Sequence, residues 1–595
     1  MTNTIIEKRL AALRDVMKQE SIDAFIFPST DPHNGEYVPE HWEGRKWISG
    51  FNGSAGTAVV TMDAAALWTD SRYFLAAAEQ LEGTEFKLMK ERIEGTPSII
   101  KWLGMKLSFV SSPVVGVDGM VNSEASVAEL IAGLRAEGGI TVRTNFDPLE
   151  RIWTDRPPVP QNKISIHPLE YAGESCASKL ARIRARLKDM HACGMLAAAL
   201  DDIAWTLNLR GTDVHCNPVF VSYLLITPER ATLFVDDSKL DDSVREYLKG
   251  EGVDTDNYNK VKDALAAYSE YNILLDPCEI NHTLFSAVRC EKVAQPSPIQ
   301  YMKTVKNSTE IEGFHNAMLR DGVALVKFLR WLKPAVEAGG ETEISIDRKL
   351  TSLRAEQKLF KDISFDTIAA YQEHGAIVHY EATPETDVPL RPEGFILIDS
   401  GAQYLDGTTD ITRTIALGDV TEEQKTVYTL VLKGHIQLEL CKFPRGASGT
   451  QLDALARKDM WRYGLNYMHG TGHGVGSYLN VHEGPHQIRM EYKPAPLVEG
   501  MTVTDEPGLY LAGRFGVRTE NTLLIVPYKN TEFGSFLGFE PLTLCPIDLS
   551  PVKKEMLLPE EKEWLNEYHR TVYDRLSTLL EGEDCEWLAS ACAEI

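Results

Sequence analysis

Four acids and one run of histidines carry the chemistry that this sequence could do. Asp399 and Asp410 flank a short turn in FILIDSGAQYLDGTTDITRTIAL, residues 395–417, while Glu506 and Glu520 interrupt two later apolar stretches, MTVTDEPGLYL and FGVRTENTLLIVP. Between the two pairs lies HGTGHGVGSYLNVHEGPH, residues 469–486, with four histidines among glycines. Aspartates flank turns routinely, because their side chains bond nearby backbone groups, so the first pair alone decides nothing. A glutamate where an apolar neighbour is expected is harder to dismiss, since a buried acid is costly unless a cation or partner compensates it. No equally regular set of lysines or arginines accompanies the four carboxylates, and bound metal is the expected counter-charge.

The histidine run admits three readings. His469 and His473 have the four-residue spacing of helical zinc motifs, yet no Glu lies between them and the glycines at 470, 472, 474 and 476 argue against a helix. A phosphate loop would want a GK[ST] ending, which is missing, and nearby carboxylates would repel the phosphate. The reading that remains is that the glycines let backbone approach a metal centre, while one imidazole ligates and others contact substrate. Any one of these histidines alone is more often structural than a ligand. Their clustering matters, because seven of the fifteen in the chain lie between His374 and His486.

The elements that must position these groups follow from the patterns around them. Residues 395–417 read as two strands joined at Asp406 and Gly407, with Asp399 ending the first and Asp410 opening the second, so that both carboxylates could enter one pocket. Upstream, Thr309 and Glu312 suggest a capping box, and Ile311, Phe314, Met318, Gly322, Leu325, Leu329 and Leu332 line one helical face, with Pro334 expected to end the helix. Two breaks precede it: the proline-rich TDRPPVPQN at 154–162 and a stretch near 293–310. Between them SKLARIRARLKDMHACGMLAAALDD repeats the helix, turn and strand plan of KRLAALRDVMKQESIDAFIFPS, so two related α/β units preceding a third is the economical division. The expected domains are 1–156, 157–302 and 303–595.

Composition excludes several function classes. With 595 residues the chain is too long for one core. Lys plus Arg number 61 against 86 Asp plus Glu, a net charge of −25 that disfavours nucleic acid and anionic lipid as partners. The first nineteen residues read as a charged amphipathic helix rather than a signal peptide, and no apolar run reaches membrane-spanning length. Nine cysteines without a CxxC pair fit reduced thiols, and a cytoplasmic location is expected.

Together these motifs resemble the pita-bread metallopeptidases, and within them the three-domain cytosolic Xaa-Pro aminopeptidases, also called aminopeptidase P. The resemblance runs through DPHNGEYVPEHW, FNGSAGTAVVT, KTVKNSTEIEG, GAIVHY, DSGAQYLDGTTDITRT, HGTGHGVGSYLNVHEGP, TDEPGLY and EWLNEYH, and is least distinct in the second domain. It implies an α/β (α+β) chain with two creatinase-like N-terminal domains and a C-terminal pita-bread catalytic domain. It further implies two divalent cations: Asp399 would chelate one, Asp410 and Glu520 would bridge both, and His473 and Glu506 would complete the ligands of the second cation. His379, His469 and His482 match the family's histidines around substrate, and Arg518 its neighbour of the bridging glutamate. A homodimer through the catalytic domain is implied as well.

The chemistry agrees with that transfer. Four carboxylates and one imidazole suit Mn²⁺ or another ion of intermediate hardness better than a thiolate zinc centre would. Two cations about 3.5 Å apart can share a water and lower its pKa, so no covalent nucleophile is needed. Glu506 is the expected proton carrier and His482 the oxyanion stabiliser, while His379, His469 and Arg518 place the peptide. The bond before proline has no amide N–H and a fixed ring, so a site that needs no donor there can accept what general peptidases reject. The expected activity is removal of the first residue from peptides with proline second. A proline dipeptidase or methionine aminopeptidase would share the five ligands, although chain length and the N-terminal domains argue against them. A metal-free peptide-binding relative would have no reason to keep all five, and a dimetal phosphoesterase would want more cationic residues than Arg413 and Arg518.

Overall fold

The computed structural model describes residues 2–595, which divide into two compact units. The first comprises residues 1–166 and Glu174–Ile299; the second comprises His167–Gly173 and Gln300–Ile595. No described helix is long and apolar enough to cross a membrane.

The first unit contains two six-stranded sheets built to one plan. In the first sheet Ala24–Phe27 pairs antiparallel with Thr57–Thr61 on one side and parallel with Val114–Val117 on the other. In the second sheet Met195–Ala197 takes the same place, antiparallel to Ser222–Ile226 and parallel to Asn272–Leu275. Each central strand follows an amphipathic helix, Thr2–Gln19 in one case and Cys176–Asp189 in the other. Leu10, Leu13 and Met17 of the first helix are buried against Phe25 and Phe27, as the spacing of apolar residues requires.

The second unit packs helices around short antiparallel sheets. Ile368–Tyr371, Phe395–Ser400 and Ile411–Ala416 form one sheet, and Phe443–Pro444, Gly534–Pro541, Asn521–Thr531 and Thr502–Asp505 another. Helix Glu422–Glu439 buries Val427, Leu430, Val431 and Ile436 in a core shared with Phe395, Phe515, Val517 and Leu565.

The long helix departs from expectation at both ends. It spans Ser308–Ala338, capped by Asn307 and Glu310 rather than by Thr309 and Glu312. Both pairs have the right spacing, but the Asn307 side chain accepts from the N–H groups of Thr309 and Glu310 at 2.9 and 3.0 Å, and Asn is the better cap. Pro334 lies inside the helix and does not end it. A proline there removes a hydrogen bond at a cost of about 3 kcal/mol, and burial of Leu332 and Val336 against Ile346 and Leu350 carries the helix one further turn to Gly339.

Candidate metal centre

The hairpin that carries the two aspartates forms as its sequence suggests. The turn falls at residues 405 and 406, one position before the expected Asp406 and Gly407, between the short strands Ala402–Tyr404 and Gly407–Thr408, and Phe395–Ser400 pairs with Ile411–Ala416 so that Asp399 faces Thr412. Directly opposed residues point to the same face of a sheet, which puts Asp399, Thr412 and Thr414 on one side. The strands bearing the glutamates close over that side. The Thr412 hydroxyl donates to Glu520 Oε2 at 2.7 Å, and the Glu520 N–H donates to the Thr412 carbonyl at 3.1 Å. All four acids stand at or beside strand ends: Asp399 is the last residue but one of Phe395–Ser400, Asp410 precedes Ile411–Ala416, Glu506 follows Thr502–Asp505, and Glu520 precedes Asn521–Thr531.

His473 is held against them by the glycine run. Gly472–Gly474 pairs with Glu483–Ile488, and a Cβ at Gly472 would collide with the backbone carbonyl of Thr504. The glycine thus serves close approach of two strands, and it is the strand leading to Glu506 that it approaches. His473 Nδ1 bonds the Gly474 carbonyl at 2.9 Å, which fixes the ring and turns Nε2 toward the acids. Nε2 lies 3.4 Å from Asp410 Oδ2 and 3.7 Å from Glu506 Oε1. One donor atom each from Asp410, His473 and Glu520 fall within 4.8 Å of one another.

The remaining predicted residues ring this cluster. The His482 ring stands at 4.4 Å and 73° to that of His473. His469 bonds the Gly470 carbonyl through Nδ1 at 2.7 Å and the Tyr510 hydroxyl through Nε2 at 2.8 Å. Arg518 donates to Tyr510 at 2.8 Å, to Thr412 at 3.1 Å and to Asp399 Oδ2 at 2.5 Å. His379 is half-buried beside Val378, whose carbonyl is 3.5 Å from Arg518 Nη1. The acids are therefore not all unpaired, since Arg518 neutralises Asp399. Arg413, the other cation near the motifs, points elsewhere, bonding the backbone carbonyls of Thr412, Glu520 and Cys545.

Tyr510 is the site residue that sequence reasoning missed. It sits in the hairpin of Gly508–Leu511 with Phe515–Arg518, and a Cβ at Gly508 would collide with its hydroxyl. Gly508 pairs with Arg518 and Tyr510 with Gly516, so the tyrosine shares the face of Arg518, but nothing local in the sequence marks it as more than a strand residue.

The electrostatics test whether cations fit. Burial pushes the Glu520 carboxyl well above its usual range, and Asp410, Asp399 and Glu506 push it further. Burial lifts Glu506 as well, with His473 and Arg518 opposing it. Asp399 is raised by burial against the pull of Arg518. Burial lowers the pKa of His473, but Asp410 and Glu506 outweigh it and lift the imidazole to about 9. These are the marks of negative charge in excess of the local cations. Asp399 Oδ1 is buried without a hydrogen-bond partner among the described residues. An oxygen-rich donor set with one imidazole and no thiolate fits hard to intermediate divalent cations.

Comparison with known proteins extends this along the whole chain. The profile of metallopeptidase family M24 matches residues 312–527, and that of the C-terminal region of these peptidases matches 535–595. The creatinase/prolidase N-terminal domain matches twice, at 9–138 and 155–310. A probable Xaa-Pro aminopeptidase P of Paracoccidioides brasiliensis is 40% identical, covering 96% of each chain. The X-prolyl aminopeptidase of Caenorhabditis elegans, described as a cytosolic enzyme with a di-nuclear active site, superposes with a TM-score of 0.95 at 34% identity, over 99% of this chain and 100% of its own. The Xaa-Pro dipeptidase of Bacillus anthracis shares the fold over 63% of this chain and 99% of its own, with a TM-score of 0.52 at 23% identity.

Proposed function

The chain belongs to metallopeptidase family M24, with two creatinase-like domains ahead of a pita-bread catalytic domain, and from that premise we propose that it is an Xaa-Pro aminopeptidase. Its reaction is hydrolysis of the first peptide bond in substrates with proline second, releasing one amino acid. The observation that carries this reading is the match to an X-prolyl aminopeptidase over essentially the full length of both chains, where the dipeptidase fold accounts for only 63% of this one.

The proposed ligands are Asp399, Asp410, His473, Glu506 and Glu520, holding two divalent cations. Mn²⁺ is the proposed ion, on the donor chemistry above. When bound, such a pair supplies Lewis-acid polarisation of the scissile carbonyl and a nucleophile active near neutral pH.

The chain's own residues do the rest. Glu506, half-buried at the rim of the cluster, carries the proton from nucleophile to leaving nitrogen. His482, its ring against that of His473, donates to the carbonyl oxygen as charge develops there. His379 and His469 orient the peptide, and Arg518 sets the wall on which the proline side rests while holding Asp399 as an anion. We further place the protein in the cytoplasm as a homodimer, by analogy with the cytosolic worm enzyme for the first and with the family for the second.

The deciding experiment supplies Mn²⁺ and follows release of free arginine from Arg-Pro-Pro, Arg-Ala-Ala and Arg-Pro by mass spectrometry. Cleavage of Arg-Pro-Pro alone supports the assignment. Preference for the dipeptide would move it to a prolidase, and silence on all three with metal bound would leave a peptide-binding protein.

A further inference from the structure

A second polar cluster adjoins the carboxylates and takes no part in the chemistry above. His435 and Glu439 lie one turn apart at the end of helix Glu422–Glu439, at 0% and 3% exposure. His435 Nδ1 is 3.1 Å from Oδ2 of Asp505, and Nε2 is 3.2 Å from Oε1 of Glu439. Asn521 donates through Nδ2 to the same Glu439 oxygen at 2.9 Å and accepts from Arg413 at 2.9 Å. Arg413 in turn donates to the Glu520 carbonyl at 2.6 Å.

The placement of these partners gives the cluster its meaning. Asp505 and Asn521 are register partners on neighbouring strands. Asp505 immediately precedes Glu506, and Asn521 immediately follows Glu520. One helix turn therefore grips the chain neighbours of two proposed cation ligands at the point where their strands end. The imidazole turns Nδ1 toward Asp505, 3.3 Å from its backbone carbonyl, and Nε2 toward Glu439, so the ring stands between the helix and the strand end. The cluster joins a helix to two strand ends.

We infer that His435 and Glu439 are positioning residues that aim Glu506 and Glu520, an inference that rests on the reading of those two glutamates as cation ligands. The Glu506 backbone is anchored by its N–H to the Thr471 carbonyl at 2.7 Å, and Glu520 by its N–H to the Thr412 carbonyl at 3.1 Å and by Arg413 on its own carbonyl, the guanidinium that also holds Asn521. Metal sites tolerate ligand displacements of only about 0.2 Å, so a strand end free to drift would loosen the site. Outer partners of metal ligands typically account for about 10–100-fold in affinity or activity.

The test uses the full-length protein with His435→Gln and Glu439→Gln, each close in size to the residue it replaces. Mn²⁺ binding is measured by calorimetric titration and by the electron-paramagnetic signature of a coupled pair, beside melting curves and the kcat and KM for Arg-Pro-Pro. The wild type is expected to bind two Mn²⁺ per chain. The variants should melt cooperatively yet bind the second ion about 10–100-fold more weakly, with kcat lowered, KM little changed, and activity recovered in excess Mn²⁺. Folded variants with wild-type affinities and a wild-type coupled signal would overturn the positioning role, and so would loss of the fold in both, which would make the cluster an element of the core. A wild type that binds no Mn²⁺ would instead sink the reading of the site, and the inference with it.

Discussion

Arg518 donates to Asp399 at 2.5 Å and to Tyr510 at 2.8 Å, so one guanidinium joins a proposed cation ligand to the hydroxyl that holds His469. The pair is buried, with 2% and 12% of the side chains exposed. Removing one partner of a buried ion pair costs about 3–5 kcal/mol because the other charge is left uncompensated. Arg518→Met should therefore lower the melting transition and the turnover of the apo-purified, Mn²⁺-restored protein. Arg518→Lys, which keeps the charge but loses the fork, should fall between the two. Calorimetry with and without Mn²⁺ checks this, and an Arg518→Met protein that melts like the wild type in both would refute it.

Asp410→Asn tests the cluster from its centre. Asp410 Oδ2 is 3.4 Å from His473 Nε2, and Asp410 shares with His473 and Glu520 a set of donor atoms within 4.8 Å. The amide keeps the shape and removes the charge. Release of arginine from Arg-Pro-Pro should fall by more than the about 10–100-fold typical of residues that merely support a ligand, while the far-ultraviolet dichroism stays that of the wild type. Turnover within a few-fold of the wild type would show that Asp410 holds no essential cation.

Much of this site is legible in the sequence, and the reason lies in where its residues fall. Asp399, Asp410, Glu506 and Glu520 stand at the ends of apolar strands, where period-two alternation exposes an acid as out of place. His473 is marked by its glycines. The partners that act across elements are not legible. Tyr510 reads as one more apolar strand residue, and its contact with His469 comes only from the fold of a hairpin against the glycine run. His435 and Glu439 read as two more polar positions on a helix that also carries Glu422, Glu423, Lys425, Lys433 and Gln437, since nothing local shows that Asp505 and Asn521 will lie beside them. The cap at Asn307 and the passage of the helix through Pro334 were decided respectively by a choice between two equal spacings and by burial outside the helix itself.

Cation removal should be felt as stability. Glu520 and Glu506 are raised by burial and by the charges of Asp410 and Asp399, so a cation that binds the folded cluster relieves repulsion that the unfolded chain does not have. Binding to the folded state alone stabilises by about 2.7 kcal/mol at a hundred-fold excess over Kd. Dialysis against a chelator should abolish activity and lower the melting transition of the second unit, and returning Mn²⁺ should reverse both. A transition indifferent to chelator, in protein shown by elemental analysis to have lost its metal, would contradict a cation at this cluster.

The last prediction concerns the first unit and pH. His33 is buried, with Nδ1 bonded to the Ala198 carbonyl at 2.9 Å and Nε2 to the Tyr258 hydroxyl at 3.0 Å. Burial holds the imidazole down to about 3, from an ordinary 6.5. Between those values the unfolded chain takes a proton that the folded unit refuses, so stability falls as pH drops below 6.5, by about 1.4 kcal/mol per pH unit for this one group. Asp118 in the same unit acts with the opposite sign: burial, aided by Asp147, lifts its carboxyl to about 7, so the folded unit holds a proton that the unfolded chain releases above 3.8. The His33 share is thus read from the difference between wild type and His33→Gln, not from the wild-type slope. Urea melts at pH 7, 6 and 5 should show the two proteins converging as pH falls, because only the wild type loses the His33 contribution. Parallel losses in both would mean that His33 does not stay neutral in the folded unit.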